Sequence, residues 1–183
     1  MDGVSRTRVG YAGGTTKDPT YYNLGDHTET IQIDYDPARI SYKELLDVFW
    51  RSHNPARRPW SRQYKMAVFY HNDEQKDLAL ESRDHIAAKT DAKVHTEIIP
   101  YSEFYLAELY HQKYQLQLNR NLMREFKTIY SANEDFVNST AATRVNGYLG
   151  GHGSLKQLQA ELDGLGLSKA GAENLLRIVR NSR

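Results

Sequence analysis

The chain has no cysteine in any of its 183 residues. That excludes disulfides, thiolate metal sites and thiol catalysis from within these residues. Basic and acidic residues nearly balance, 24 against 23, so no excess of one sign draws nucleic acid or an anionic membrane surface. No run approaches the roughly 20 apolar residues of a membrane span. The opening MDGVSRTRVG holds no apolar signal core. The chain as given therefore reads as cytoplasmic, with neither nucleic acid nor membrane as partner. Histidines are scattered singly, which argues against a histidine-rich metal centre. The length supports one domain with a proper core and a small appendage.

What is present concentrates in VGYAGGTTKDPTYYNLGDHTETIQI, from Val9 to Ile33. Glycines, tyrosines and turn signals at Lys17-Asp18-Pro19 and Gly25-Asp26 make a loop suited to a small polar ligand. Thr7 to Tyr11 reads as the strand before it. From Thr28 to Tyr35 the residues alternate, with Ile31, Ile33 and Tyr35 on one face and Glu29 on that same, inward face.

Further along, Ser41 and Glu44 form a capping box ahead of an apolar helical face at Leu45, Leu46, Val48, Phe49 and Trp50. A loop rich in proline and arginine runs from His53 to Arg62. Met66 to Tyr70 predicts a buried strand. A helix capped by Asn72 runs to about Ala88, Val94 to Ile99 predicts another strand, and Phe104 to about Lys127 a long helical stretch. NGYLGGHG, residues 146–153, reads as a glycine loop. Ser154 to Leu162 and Leu167 to Val179 read as a helical hairpin. Strands alternating with helices over the first two thirds suggest an α/β or α+β sandwich.

Three constellations could carry chemistry. Glu29 is either a carboxyl kept protonated by burial, able to donate to a ligand, or an acid at a strand end that reaches solvent. Tyr21, Tyr22, Tyr64, Tyr101, Tyr105, Tyr110, Tyr114 and Tyr148 lie in or beside loops. Their phenols could converge on one polarised oxygen, or serve as amphipathic walls. His27 and His111 lack the companion ligands of a metal site, and GYAGG lacks the Lys-Ser/Thr of a phosphate-binding P-loop.

Taken together, GYAGGTTKDPTYYNLGDHTE, YDPARISYKELLDVFWRSHNP, QYKMAVFYH, FYLAELYHQKY and NGYLGG resemble peptide methionine sulfoxide reductase A, in order and spacing from about Gly3 to Gly151. Enzymes of this kind restore oxidised methionine. The resemblance implies an α+β fold: a two-layer α/β sandwich around a mixed sheet, with a ferredoxin-like core. It would occupy residues 1–153, followed by a helical extension at 154–183. The implied substrates are oxidised proteins or free methionine sulfoxide, S epimer. No bound cofactor or metal is implied, only an external thiol reductant such as thioredoxin, glutaredoxin or glutathione.

By the same resemblance Glu29 hydrogen-bonds the sulfoxide oxygen, Tyr21 and Tyr64 share it, and Tyr148 sits over the site with His27 and Trp60 as further substrate-binding candidates. The departures are equally specific. The family's nucleophile is a cysteine in a G-C-F-W motif roughly twenty residues ahead of GYAGG on the family pattern, and its common resolving cysteine is replaced here by Leu149. Arg58-Pro59-Trp60-Ser61-Arg62 stands in place of a segment bearing an aspartate. The expectation is a truncated form whose nucleophile, cysteine or selenocysteine, is encoded ahead of Met1, inactive as written. The alternative is a non-catalytic methionine-sulfoxide-binding or regulatory paralogue.

Overall fold

The computed structural model describes residues 1–181. Strand β1 (Val4–Ala12) and strand β2 (Thr28–Tyr35) pair antiparallel, Tyr11 opposite Glu29 and Ala12 opposite Thr28. Helix α1 (Tyr42–Arg51) follows, with the expected capping box. Glu44 N–H donates to Ser41 Oγ at 3.2 Å, and Ser41 N–H donates back to the Glu44 carboxylate at 2.8 Å. Strand β3 (Ala67–Tyr70), helix α2 (Asp73–Thr90, capped by Asn72) and strand β4 (Glu97–Pro100) complete a unit in which β3 and β4 run parallel. Strand β5 (Phe104–Leu106) returns to pair antiparallel with β1.

The fold is α+β. Its strands divide into an antiparallel sheet, β2-β1-β5, and the parallel pair β3-β4. Two small cores serve this part: Leu46, Trp50 and Ala79 between α1 and α2, and Tyr11, Leu24 and Ala107 beneath β1. Gly10 is required where β5 crosses, since a Cβ there would lie 2.2 Å from the Tyr105 carbonyl oxygen.

The remaining helices are α3 (Tyr114–Leu118), α4 (Arg120–Ile129), α5 (Asn133–Asn138), α6 (Thr140–Leu149), α7 (Leu155–Glu161) and α8 (Lys169–Asn181). They share the largest core, built on Leu116, Leu122, Phe126, Val145, Leu158, Leu175 and Val179. The expected hairpin at the chain's end thus packs into a helical layer that starts at α3. Arg8 ties that layer to the sheet, donating to Asn138 Oδ1 at 2.8 Å and pairing with Asp34. Among the described residues no helix is long and apolar enough to cross a membrane.

Two expectations change. The stretch from Phe104 to Lys127 is not one helix. Its start is β5, and Asn119 ends α3 while its side chain caps α4 by accepting from Leu122 N–H at 3.1 Å. Asn146 to Leu149 is not loop but the last turn of α6, because Val145 and Tyr148 bury into the helical core while Gly147 faces open space.

Candidate functional site

The loop between β1 and β2 is held by its own polar side chains. Asp26 accepts from the N–H groups of Thr15 and Thr16, at 2.8 and 3.0 Å, and from both their hydroxyls. Those backbone donors, Thr16 first, hold its carboxyl far below the usual range. His27 is buried beneath the loop. Its Nδ1 accepts from Gly14 N–H at 3.2 Å and its Nε2–H donates to the Thr16 carbonyl at 2.8 Å. Both ring nitrogens are spent inside the loop, so His27 shapes the site from behind and offers nothing to a ligand.

Beside this loop lies a cleft of about 290 Å³, lined by Tyr11, Tyr21, Glu29, Thr30 and His111 together with Val9, Gly10 and Ala107. Glu29 enters it from the start of β2, one residue after Thr28. The period-2 reading placed Glu29 with Ile31 correctly on one face, but that face is open rather than inward. Glu29 is exposed and Ile31 is 55% exposed. The carboxylate accepts from Gln63 Nε2 at 2.7 Å. Of the two sequence readings, burial is replaced by access to solvent.

Tyr64 stands beside this cleft at the end of a 3₁₀ turn, Arg62–Tyr64. The Thr28 hydroxyl fixes that turn by donating to the Gln63 carbonyl at 2.8 Å. Desolvation raises the Tyr64 phenol pKa, with further contributions from the nearby Glu29 charge and from Tyr21. Tyr21 and Glu29 line the cleft together, and Tyr64 stands beside it, near enough for the Glu29 charge to act on its phenol. The Tyr21 ring also packs on His111, centroids 4.8 Å apart.

Two expected members stand elsewhere. Tyr148 is buried in the helical core and donates its hydroxyl to Glu161, so it lies outside the cleft lining. Burial and Glu161 both raise its pKa. Trp60 is 77% exposed and stacks on the Tyr64 ring at 4.8 Å, an outer wall rather than part of the cleft surface.

Sequence reasoning left Glu108 and Gln112 without roles, although both lie in the quoted FYLAELYHQKY motif. Gln112 is fully buried and acts as a strand residue by proxy. Its Oε1 accepts from Val9 N–H at 3.1 Å, and its Nε2 donates to the Val9 and Ala107 carbonyls. Glu108 accepts from Tyr11 OH at 2.7 Å and from Tyr21 N–H at 3.0 Å. Polar residues beside a short extended segment were the available signal.

A second cavity, about 420 Å³, separates β2 from α1 and β3. It is lined by Ile31, Ile33, Leu45, Phe49, Val68 and Phe69 among others, and Glu29 borders it as well as the cleft. Among the described residues neither β2 nor β3 has a ladder partner on its second edge. Glu29 therefore stands where a polar cleft meets a mainly apolar groove. Among the described residues no group of three or more potential metal ligands occurs.

The chain belongs to the peptide methionine sulfoxide reductase family. Residues 1–152 match the family described as "Peptide methionine sulfoxide reductase", and residues 132–180 match "Selenoprotein methionine sulfoxide reductase A, helical domain". The chain is 44% identical over 168 residues to a peptide methionine sulfoxide reductase of Drosophila melanogaster, covering 91% of this chain and 67% of that protein. It is 44% identical over 133 residues to the corresponding protein of Methanococcoides burtonii, 66% of this chain and 87% of the other. Its fold is similar to the reduced form of Mxr1 from Saccharomyces cerevisiae, with a TM-score of 0.60 and 30% identity over 64% of this chain and 73% of that one.

Proposed function

We propose that this chain is the substrate-recognition part of a peptide-methionine (S)-S-oxide reductase. Its cleft would take the sulfoxide group of an oxidised methionine, in a protein or as the free amino acid. The observation that carries this is that Glu29 and Tyr21 line one cleft, with Tyr64 close enough beside it for the Glu29 charge to raise its phenol, in a chain that belongs to the family. A sulfoxide sulfur becomes electrophilic when its oxygen is polarised. Hydrogen-bond donors held in place before the substrate arrives do this at little reorganisation cost. In this reading the two phenols donate to the oxygen, and the Glu29 carboxyl, when protonated, adds a third donor.

Reduction also needs a nucleophile that attacks sulfur, takes the oxygen as a sulfenic or selenenic acid and releases methionine. None of the 183 residues is a cysteine, and neither a carboxylate nor a phenol supplies two electrons here. The thiol or selenol is therefore assigned outside these residues, with an external thiol such as thioredoxin, glutaredoxin or glutathione as the final reductant. The groove that shares Glu29 with the cleft offers the approach to the sulfur. The helical match to a selenoprotein family member is consistent with selenium in that role. With no such partner, the same cleft would make a methionine-sulfoxide-binding or regulatory paralogue, a reading favoured by the absence of cysteine.

The test is to incubate the pure chain with N-acetyl-methionine (S)-sulfoxide and dithiothreitol. The reading expects binding without formation of N-acetyl-methionine. Thiol-dependent turnover by the pure chain overturns the assignment of the nucleophile. Absence of any binding overturns the assignment of the cleft.

A further inference from the structure

Three residues of the cleft wall come from different parts of the chain: Tyr11 from the end of β1, Tyr21 from the loop, and His111 from the 3₁₀ turn Leu109–His111. One side chain that does not itself line the cleft touches all three. Glu108 Oε2 accepts from Tyr11 OH at 2.7 Å, and Glu108 Oε1 accepts from Tyr21 N–H at 3.0 Å. His111 Nε2 lies 3.8 Å from Glu108 Oε2. The main chain of Glu108 is fixed too, since its carbonyl accepts from His111 N–H at 2.9 Å.

We propose that Glu108 is a positioning residue for sulfoxide recognition. It anchors the Tyr21 backbone so that the Tyr21 phenol faces the substrate oxygen, and it occupies the Tyr11 hydroxyl so that Tyr11 does not compete for that oxygen. The proposal rests on the reading of the cleft as a sulfoxide site. Its chemical basis is acceptor count. An ionised carboxylate presents two oxygens and no donor, so it can take an N–H on one and an O–H on the other. Burial alone would raise the Glu108 carboxyl, but the hydrogen bonds from Tyr11 and the Tyr21 backbone outweigh it and hold the carboxyl below its usual value. On the other side of the contact, burial and Glu108 raise the Tyr11 phenol, so its proton stays in the bond. Of the two tyrosines that line the cleft, Tyr11 and Tyr21, only Tyr21 thus keeps its phenol for a ligand.

Glutamine at this position keeps one acceptor oxygen but turns the other into a donor. It could still hold Tyr21 N–H while reversing the bond to Tyr11. Alanine loses both. The experiment follows the Tyr21 amide by ¹⁵N NMR through the carboxylate pH range and measures binding of N-acetyl-methionine sulfoxide by the wild type, Glu108→Gln and Glu108→Ala, each checked for a cooperative melt. The proposal expects the Tyr21 amide to titrate with Glu108 in the wild type and to lose that response in Glu108→Ala. It expects sulfoxide affinity to fall about tenfold in Glu108→Ala and to be partly recovered in Glu108→Gln, the size of one charged hydrogen bond.

A Tyr21 amide silent through the carboxylate range overturns the proposal. So does a folded Glu108→Ala that binds like the wild type, with the cleft reading intact. A wild type that binds no sulfoxide removes the cleft reading and this proposal together.

Discussion

Tyr11 and Glu29 stand directly opposite each other across the β1–β2 ladder, yet their side chains end in contrary circumstances. Tyr11 is buried and its hydroxyl is committed to Glu108. Glu29 is exposed where cleft and groove meet, with the Gln63 amide donating to one of its oxygens. One cross-strand pair thus contributes a fixed floor and an accessible acid.

Glu29→Ala tests the accessible member. The residue is exposed, so stability should change by no more than about 0.5 kcal/mol. Sulfoxide affinity should fall about tenfold, roughly 1.4 kcal/mol. A denaturant melt and a binding titration check the two halves separately.

Thr28→Val is nearly isosteric and removes the hydroxyl that holds the Arg62–Tyr64 turn against β2. Thr28 is buried, so the Gln63 carbonyl loses a partner in a place poorly served by water. The expected cost is about 1–2 kcal/mol. Tyr64 should become more mobile and bind substrate less well, which would appear in ring exchange by NMR alongside the lower melting midpoint.

His27→Ala deletes two hydrogen bonds and a buried ring from beneath the loop. A loss of about 2–4 kcal/mol is expected. Cleavage by a non-specific protease should begin within residues 13–27. If the histidine instead served a ligand from the cleft surface, the loop would resist cleavage as before and only affinity would change.

Lys113 gives a pH dependence with a definite sign. Its ammonium is buried, donates to the Thr7 carbonyl and has no carboxylate partner among the described residues. Burial first, then the Arg8 charge, lowers its pKa from 10.5 to about 8. Between those values the unfolded chain binds the proton and the folded chain does not. Stability from this group therefore rises with pH across that window, by at most about 1.4 kcal/mol per unit. Lys113→Met should remove that slope. Urea melts of both proteins from pH 7.5 to 10 provide the comparison.

Local signals in the sequence were reliable where the chain satisfies itself. The Ser41–Glu44 box and the Asn72 cap each use a partner three residues away, and both helices form where that spacing predicts. The alternation of β2 grouped Glu29 with Ile31, but period alone does not say which face is covered. That depends on what packs across β2, and there the structure has an open groove. The extended character of Phe104–Leu106 depends on β1 and on the Gln112 side chain bonding to Val9, 103 residues away, information that no local window contains. Tyr148 was placed over the site by the family resemblance, beside an expected glycine loop. Its neighbour Val145 and the core built from distant helices turn it inward instead. The family resemblance singled out Tyr21 and Glu29, which line the cleft, and Tyr64 beside it, whereas Glu108, Gln112 and Thr28 act on the cleft wall through long-range contacts that no local window contains.

The most direct test of the account is an NMR titration of the ¹⁵N-labelled chain with N-acetyl-methionine (S)-sulfoxide, with reduced N-acetyl-methionine as the control. Saturable shifts confined to the neighbourhood of Tyr21, Glu29, Tyr64 and His111, produced by the sulfoxide and not by the sulfide, are the predicted result. Equal shifts from both ligands, or none around the cleft, would contradict it.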